Sequence, residues 1–329
     1  MTLAAGGKAL AYLAWIFPSV STTGTRFMIG LAGFFLGALV FLLLAVIEYS
    51  AWALVAPPRT RNSEDAGDPP GAADLESQNR SQPISALARD GVRLAGIWHP
   101  TTGEPAGRTV LLLHGFAEAS VALQALRVAA LNRAGWNAAA LDLRAYGKSG
   151  GQFASFGGRE ADDVRAWLDS LTAKVDPTQS FAPVLWGRSM GAAIAVQAAA
   201  SDKRVRALIL ESPMVDLDEA MAVWFRKRRV PMPRLLARLA TRRAGKIAGV
   251  SLTRPRPIEL APQVHCPVLI VHGSADTLIS GLEAKRLAGA FPTPPQFIEV
   301  PGAGHADVVA VGGETLLEQI TCFLREQLA

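Results

Sequence analysis

Apolar residues are distributed along this chain in two different ways. Near the N-terminus they form one continuous run, "FMIGLAGFFLGALVFLLLAVI" at 27–47, which contains no charged residue. From residue 83 onward they occur in short blocks, such as "TVLLLHG" at 109–115 and "CPVLIVHG" at 266–273, separated by stretches of helical periodicity. The first pattern is typical of a membrane-spanning helix, and the second of buried parallel strands that alternate with helices.

The continuous run is long enough to cross a bilayer as a helix, because about 20 residues span the roughly 30 Å hydrocarbon core. It predicts a transmembrane anchor over 27–50, preceded by an N-terminal segment at 1–26. A signal peptide cleaved near Ala53 or Ala56 is the alternative, although its apolar stretch is normally about 7–15 residues. Two basic residues flank the run on each side, so the positive-inside rule leaves the orientation of the anchor open.

Residues 57–82 are polar, rich in Pro, Gly and Asp, and almost devoid of large apolar residues, which predicts a disordered linker. The alternation after it predicts one α/β domain over 83–329, built on a doubly wound, mostly parallel sheet with helices on both faces. A hairpin that turns at Asp90-Gly91 opens this domain. Residues 213–262 interrupt the alternation and form an insertion between two strands.

Reactive side chains stand just beyond three of the predicted strands, where doubly wound sheets carry their sites. Ser189 lies in "GRSMG" at 187–191, a G-x-S-x-G pattern at a strand-to-helix turn. A serine hydroxyl needs a base, and His305 in "PGAGHADVV" is the candidate. The base needs a carboxylate to fix its tautomer, and Asp276 in "HGSADTLIS" is placed for that role. The order Ser, Asp, His along the chain is the one that this architecture uses.

An oxyanion formed at Ser189 requires two backbone donors. We expect them to be the N–H of Met190, at the start of the following helix, and that of Phe116, in the loop after "LLLHG".

Taken singly, the residues proposed for catalysis also have simpler interpretations. Ser189 lies among small residues, which are common in turns, and His305 is a loop histidine, a type of residue common on surfaces. Asp216 and Asp218 follow a strand as well and remain alternatives for the acid.

The overall charge is mildly basic, with 33 Lys and Arg against 28 Asp and Glu. The insertion at 213–262 contains eleven basic and four acidic residues, a net charge of +7, so the rest of the chain has a net charge of −2. No zinc-finger, RNA-binding or basic-zipper pattern accompanies the excess, so nucleic acid is not expected as a partner. Cys266 and Cys322 have no metal-ligand spacing, and we expect two buried free thiols, with a single disulfide as the alternative. No metal or organic cofactor is expected.

The motifs "LLLHGFAEAS", "DLRAYGKSGG", "GRSMGAA", "CPVLIVHGSAD" and "PGAGHAD", in this order, resemble the α/β-hydrolase superfamily. The similarity covers about 83–329 and is greatest to bacterial serine-aminopeptidase-like and lysophospholipase-like hydrolases. It implies a nucleophile at Ser189, an acid at Asp276 and a base at His305, with oxyanion donors at Phe116 and Met190. It also implies that the insertion is a cap over the site.

Together these features predict a membrane-anchored, lipase-like serine hydrolase that cleaves a carboxylic ester of a small acyl substrate through an acyl-enzyme. A serine peptidase of the same fold is one alternative, and a non-catalytic binding protein that retained the fold is the other. With the anchor, the resemblance to bacterial proteins implies a single-pass protein of the bacterial inner membrane, with the side of the catalytic domain left open.

The basic residues of the insertion include a regular stripe. Arg234, Arg238 and Arg242 recur at every fourth position, so they lie along one side of a helix. A solvated helix face is one interpretation of this spacing. The other is a basic amphipathic helix that rests on anionic lipid and adds a second membrane contact to that of the anchor.

Overall fold

The computed structural model describes residues 22–57, 81–101, 107–118, 125–173 and 181–328. The chain divides into two compact units, Met1–Tyr49 and Ser50–Ala329. Most of the predicted N-terminal segment at 1–26 and of the predicted linker at 57–82 lies outside the described residues. The expectation of disorder for the linker therefore stays a prediction.

The first unit contains most of helix α1, which runs from Thr22 to Val55 and extends beyond the predicted 27–50 at both ends. The stretch Arg26–Val55 is long and apolar enough to cross a membrane, and its most apolar window is not buried inside the protein. Side chains from Phe27 to Leu44 are largely exposed, as expected for a surface that faces hydrocarbon rather than a protein core.

The last turns of α1 belong to the second unit. Ala51, Leu54 and Val55 are buried there, and the carbonyl oxygen of Val55 accepts a hydrogen bond from the N–H of Ala154 at 2.8 Å. The second unit therefore begins at residue 50, before the predicted linker. The reason is that the apolar C-terminal end of α1 packs on loops of the second unit.

The second unit is built on one eight-stranded sheet with the order β1-β2-β4-β3-β5-β6-β7-β8. Strands β1 and β2 form the predicted hairpin, β2 is antiparallel to β4, and the neighbours from β4 to β8 are parallel. This is the doubly wound, mostly parallel sheet that the alternating pattern predicted. The strands are β1 (Gln82–Leu87), β2 (Arg93–His99), β3 (Arg108–Leu113), β4 (Asn137–Leu141), β5 (Ala182–Arg188), β6 (Ala207–Glu211), β7 (Val268–Gly273) and β8 (Gln296–Val300).

The described helices that connect and follow these strands agree with the predicted alternation. The last helix begins at Val308 and contains a break at Gly313 (φ 56°, ψ −150°). The helices are α2 (Ala125–Arg133), α3 (Glu160–Thr172), α4 (Met190–Ser201), α5 (Leu217–Lys227), α6 (Pro233–Ala248), α7 (Pro257–Leu260), α8 (Gly281–Ala288) and α9 (Val308–Leu328).

The central strands are buried on both faces, which is why their sequences are continuously apolar rather than alternating. Helix α4 lies at the centre of the unit and is buried on nearly all sides, so it consists mainly of Ala, Val and Ile. The largest fully buried side chains, Trp136 and Trp186, fill the core on the side of the sheet covered by α2 and α9.

The insertion at 213–262 is mostly helical, and it is called the cap below after the role that the resemblance implies. Helix α5 begins at Leu217. The residue before it, Asp216, is its N-cap, and the Asp216 carboxylate accepts hydrogen bonds from the N–H groups of Asp218 and Glu219. Helix α6 packs on α5 and ends at Gly249, which adopts a left-handed conformation (φ 68°). A short α7 and one turn of 3₁₀ helix lead back to β7.

Both cysteines carry free thiols, as expected, but Cys266 and Cys322 are half-buried rather than fully buried. Burial raises the pKa of the Cys266 thiol to about 11, so this group stays protonated at neutral pH.

The turn from β5 into α4 depends on two glycines. A Cβ atom at Gly187 would overlap the carbonyl oxygen of Gly191, and a Cβ atom at Gly191 would overlap the carbonyl oxygen of Leu113. These obstacles are backbone atoms, which cannot move aside as the end of a flexible side chain can. We therefore expect Gly191→Ala to lower the melting temperature strongly.

Thermal unfolding followed by circular dichroism measures this effect. Gly289→Ala is the matched control, since Gly289 has φ −70° and the nearest atom to an added Cβ is 3.7 Å away. A Gly191→Ala protein as stable as the control would contradict the close packing at this turn.

Two buried histidines should make the fold sensitive to acid. Burial lowers the pKa of His99 and of His114 to about 4 from the usual 6.5. The unfolded chain takes up these protons as the pH falls below 6.5, whereas the folded protein does so only near pH 4. The free energy of unfolding therefore decreases as the pH falls from 6.5 to 4, by about 3 kcal/mol for each histidine.

We expect His99→Asn to flatten the decrease in melting temperature between pH 7 and pH 4. His265→Asn is the control, because His265 is exposed. Equal pH dependence in the wild type and the His99 variant would show that His99 contributes nothing to the acid sensitivity.

Candidate active site

Ser189 occupies the sharp turn between β5 and α4 in a conformation that non-glycine residues seldom adopt. Its φ is 51° and its ψ is −110°. The backbone holds it there, since its N–H donates to the Glu211 carbonyl oxygen at 2.9 Å and its own carbonyl oxygen accepts from the N–H groups of Ala192, Ala193 and Met214. Strain of this kind costs on the order of 1–3 kcal/mol, and it persists only where the surroundings impose it.

The structure brings His305 and Asp276 to this serine. The Nε2 atom of His305 lies 2.9 Å from Ser189 Oγ, and its Nδ1 atom lies 2.7 Å from Asp276 Oδ2. With its proton on Nδ1, His305 donates to the carboxylate and its Nε2 accepts the serine hydroxyl proton. The three side chains predicted from the sequence therefore form one continuous hydrogen-bonded chain.

The loops that carry the acid and the histidine are joined to each other. Ala275 N–H donates to the carbonyl oxygen of Ala303 at 2.8 Å, and Gly302 N–H donates to Ser274 Oγ at 2.9 Å. Gly273 has no side chain because a Cβ atom there would overlap the Ala303 carbonyl oxygen. The ends of β7 and β8 are thus held in one fixed relation, which sets the distance between the carboxylate and the imidazole.

Asp276 is held in its ionised form. Burial by itself would raise the pKa of this carboxyl, but the hydrogen bond and the charge interaction with His305, together with the N–H groups of Ile279 and Leu278, outweigh burial. The pKa of Asp276 therefore lies below its usual value. The Leu278 and Ile279 N–H groups both donate to Oδ1, at 2.8 and 2.9 Å, which leaves Oδ2 for the histidine.

The two expected oxyanion donors lie on segments that touch each other. Met190 is the first residue of α4, and Phe116 lies in the turn after β3. The first turn of α4 packs on the end of β3 through Gly191, at the carbonyl groups of Leu113 and His114. Neither N–H group donates to an acceptor among the described residues. The oxyanion role of both residues stays a prediction.

Tyr146 is a supporting residue that the sequence reasoning missed. Its hydroxyl group lies 3.9 Å from Met190 Sδ and accepts a hydrogen bond from the N–H of Ala117. Burial raises the pKa of this tyrosine, which therefore stays protonated. It links the two segments that carry the expected oxyanion donors. It lies within the motif "DLRAYGKSGG", but its contacts arise only when two distant loops are brought together.

Arg188 was also missed, although it directly precedes the serine. Its guanidinium forms an ion pair with Glu118 and donates to the carbonyl oxygen of Ala306 at 2.6 Å. Glu118 in turn accepts from the N–H of Gly115 at 2.8 Å. This pair connects the serine turn, the loop of Phe116 and the loop of His305. A charged residue inside G-x-S-x-G was the signal that could have drawn attention to it.

The structure gives the two alternative acids other partners. Asp216 caps α5 and lies 3.2 Å from the Arg256 guanidinium, and Asp218 accepts from Thr241 Oγ1 at 2.5 Å. Neither one is hydrogen-bonded to His305.

The other two strand-end histidines are hydrogen-bonded to loop backbone. The neutral His114 ring has its Nδ1 atom 2.7 Å from the carbonyl oxygen of Gly115, and its Nε2 atom accepts from the N–H of Leu143 at 3.1 Å. His272 lies 3.2 Å from the carbonyl oxygen of Ile279, and burial lowers its pKa. Among the described residues, no cluster of three or more His, Cys, Asp or Glu is placed to hold a metal ion.

Comparison with known proteins agrees with this architecture. Residues 104–257 match the family model described as "Serine aminopeptidase, S33". The chain is 31% identical to the Mycobacterium tuberculosis protein Rv2307c over 262 residues, which cover 79% of this chain and 84% of the relative. It is 26% identical to YfhR of Escherichia coli K12 over 254 residues, which cover 75% and 82% of the two chains.

Solved structures show the same fold. The esterase Pf2001 of Pyrococcus furiosus matches with a TM-score of 0.66 at 24% identity, covering 84% of this chain and 99% of that chain. A thermophilic esterase of Thermogutta terrifontis matches with a TM-score of 0.56 at 21% identity, covering 75% and 100%. The resemblance drawn from the sequence motifs is confirmed at this level: the chain belongs to the α/β-hydrolase superfamily.

Proposed function

We propose that the protein is a membrane-anchored serine hydrolase that cleaves carboxylic esters through an acyl-enzyme. The observation that carries the proposal is the hydrogen-bonded chain from Ser189 through His305 to Asp276, with distances of 2.9 and 2.7 Å. Nucleophile and base within hydrogen-bond reach, with the base oriented by a buried carboxylate, are the features by which such a site is recognised.

In the first half of the reaction Ser189 Oγ forms a bond to the acyl carbon while its proton passes to His305 Nε2. The negative charge on the carbonyl oxygen is stabilised by the N–H groups of Met190 and Phe116. Collapse of this intermediate breaks the bond to the alcohol oxygen, and His305 returns the proton to the departing alcohol. Asp276 stays ionised and stabilises the imidazolium.

In the second half a water molecule gives its proton to His305 Nε2 and attacks the acyl carbon. The bond to Ser189 Oγ then breaks, the carboxylic acid leaves, and the proton returns from His305 to the serine. The reaction consumes only ester and water, so the proposal requires no cofactor.

The charges of the cap favour an ester over the N-terminal amine of a peptide. An aminopeptidase needs acidic groups to hold the positive charge of its substrate, whereas the cap has a net charge of +7. Its four acids are all engaged within the cap, by ion pairs or hydrogen bonds: Asp216 with Arg256, Asp218 with Thr241, Glu219 with Arg234 and Glu259 with Arg254 and Arg256. A serine peptidase remains the second candidate because of the description of the matched family model.

Helix α1 supports the proposed membrane location. A signal peptide cleaved near Ala53 or Ala56 would remove Ala51 and part of the buried end of the helix, which packs on the second unit. Trp52 also contacts Phe153 edge-on, with ring centroids 5.9 Å apart. Retention of the helix keeps these contacts, which favours an uncleaved anchor.

A fluorophosphonate probe tests the proposed nucleophile. The full chain should be labelled, Ser189→Ala should not be labelled, and the control Ser201→Ala should be labelled like the wild type. His305→Ala and Asp276→Asn should slow labelling by about 10³-fold or more, because the base or its orientation is lost. Absence of labelling in a folded wild-type protein would overturn the proposal.

The same variants separate the two substrate classes. Hydrolysis of p-nitrophenyl acyl esters of increasing chain length should be lost with Ser189→Ala, whereas aminoacyl p-nitroanilides should be poor substrates. A larger kcat/KM on the anilides than on the esters would favour the peptidase.

Membrane fractionation tests the anchor. We expect the full-length protein to stay in the membrane after alkaline carbonate washing, with residues 22–57 retained in its intact mass. The double substitution Leu39→Arg/Leu42→Arg should release it, because two central arginines weaken insertion by about 5–7 kcal/mol. Leu87→Arg/Leu282→Arg, which adds the same charges at exposed positions of the second unit, is the control. A mature protein that begins directly after Ala53 or Ala56 would favour a cleaved signal peptide.

A further inference from the structure

The outward side of the cap combines exposed apolar and basic side chains. Helix α6 packs on α5 through a buried side of mostly small residues, with Leu236, Ala237, Ala240, Thr241 and Ala244. Its other side, together with the end of α5 and the turn that joins the two helices, forms the surface called here the cap face. The cap face consists of Arg226, Lys227, Arg228, Arg229, Met232, Arg234, Leu235, Arg238, Leu239, Arg242 and Lys246.

Three large apolar side chains lie on the cap face without being covered by the second unit. Met232 is 52% exposed, Leu235 is 51% exposed and Leu239 is 38% exposed. Leu235 also lines a shallow hollow together with Arg226, Met232, Pro233 and Arg234. Leu235 and Leu239 lie one turn apart on α6, where a helix with only a solvated face would carry polar residues.

The cations around these residues are mostly available for an outside partner. Arg238, Arg242 and Lys246 are exposed, and none of them forms an ion pair with an acid among the described residues. Arg228 instead stacks over the Trp224 ring at 3.6 Å, and Arg234 lies 3.6 Å from Glu219 in an exposed pair. The exposed leucines are therefore surrounded by a positive field that the cap itself does not neutralise.

We propose that the cap face docks on an anionic lipid surface. A bilayer with anionic headgroups offers negative charge to the arginines and, just below it, an apolar layer to the leucines and Met232. A nucleic acid would satisfy the arginines but would leave the leucines in water. The combination of charge and exposed apolar side chains thus fits a membrane better than a polyanion.

The cap face also reaches the candidate active site. Lys227 Nζ donates to Thr277 Oγ1 at 2.6 Å, and Thr277 directly follows Asp276. This part of the inference rests on the proposed function: an ester bond cleaved beside a docked cap belongs to an amphiphile drawn from the membrane, such as a lysolipid or a monoacylglycerol. The docking itself does not depend on hydrolysis.

Docking can be measured without any substrate. An environment-sensitive fluorophore (NBD) is attached at Leu235→Cys in the full chain, after Cys266→Ala and Cys322→Ala have removed the native thiols. The protein is reconstituted in nanodiscs of phosphatidylcholine, with and without 30% phosphatidylglycerol. We expect a blue-shifted, several-fold brighter emission in the anionic nanodiscs, quenching by nitroxide-labelled lipid and reversal by 0.5 M NaCl.

Two controls make the result specific. The same fluorophore at Gln319→Cys, an exposed position on α9 outside the cap face, should not respond to lipid composition. The triple variant Arg238→Gln/Arg242→Gln/Lys246→Gln should lose the response at position 235. A matched triple variant that removes three exposed cations elsewhere should keep it: Lys203→Gln, Arg286→Gln and Arg325→Gln.

Several outcomes would overturn the inference. They are an emission at position 235 that is the same in neutral and anionic nanodiscs, an equal response at position 319, or an equal loss in both triple variants. A stronger response to added RNA than to anionic lipid would also do so, by pointing to a polyanionic partner. Fluorophosphonate labelling of the same samples is independent of this readout, so failure of docking and failure of the proposed catalysis can be told apart.

Discussion

Close backbone packing around Gly187 and Gly191 is the constraint on which the candidate active site depends. Each glycine faces a carbonyl group where any side chain would overlap it, so strand β5, helix α4 and the end of β3 approach one another directly. This approach forces Ser189 into a conformation with φ 51° and presents its hydroxyl at the carboxyl edge of the sheet. The same approach places the segments of Met190 and Phe116 side by side.

The parallel sheet supplies the rest of the site. Strands β5, β6, β7 and β8 are neighbours, so residues far apart in the sequence meet at one edge. Glu211, at the end of β6, shows how tightly this edge is supported. Its carbonyl oxygen holds the Ser189 N–H, while its buried carboxylate pairs with Arg127 at 2.6 Å and accepts from the Trp186 indole at 3.2 Å.

Large apolar side chains are exposed to solvent, rather than buried in the protein core, at two places. Helix α1 exposes most of its apolar side chains between Phe27 and Leu44, and the cap exposes Met232, Leu235 and Leu239 among its arginines. Helix α1 has the length and composition of a bilayer span, whereas the cap has the mixed character of an interfacial helix. The two proposals made above, an anchor at α1 and docking at the cap, therefore rest on two different kinds of apolar surface.

Local patterns in the sequence determined the class of fold and the residue types of the site. Continuous apolar blocks predict buried parallel strands, and Ser189, Asp276 and His305 follow such blocks in an order typical of one superfamily. Only the tertiary structure decided which of these residues are paired with one another. Asp276, rather than Asp216 or Asp218, is hydrogen-bonded to His305. This pairing depends on the backbone contacts of Ala303 with Gly273 and Ala275, because they fix the distance between the end of β7 and the end of β8.

Contacts between distant segments leave no periodic signal in the sequence. Tyr146, Arg188 and Glu118 were therefore not anticipated, and Leu235 could not be distinguished from Leu236 until packing buried one and exposed the other. The sequence by itself determines the local patterns, since these depend on neighbouring residues. Partner choice and exposure depend on which surfaces meet, and only the folded chain decides that.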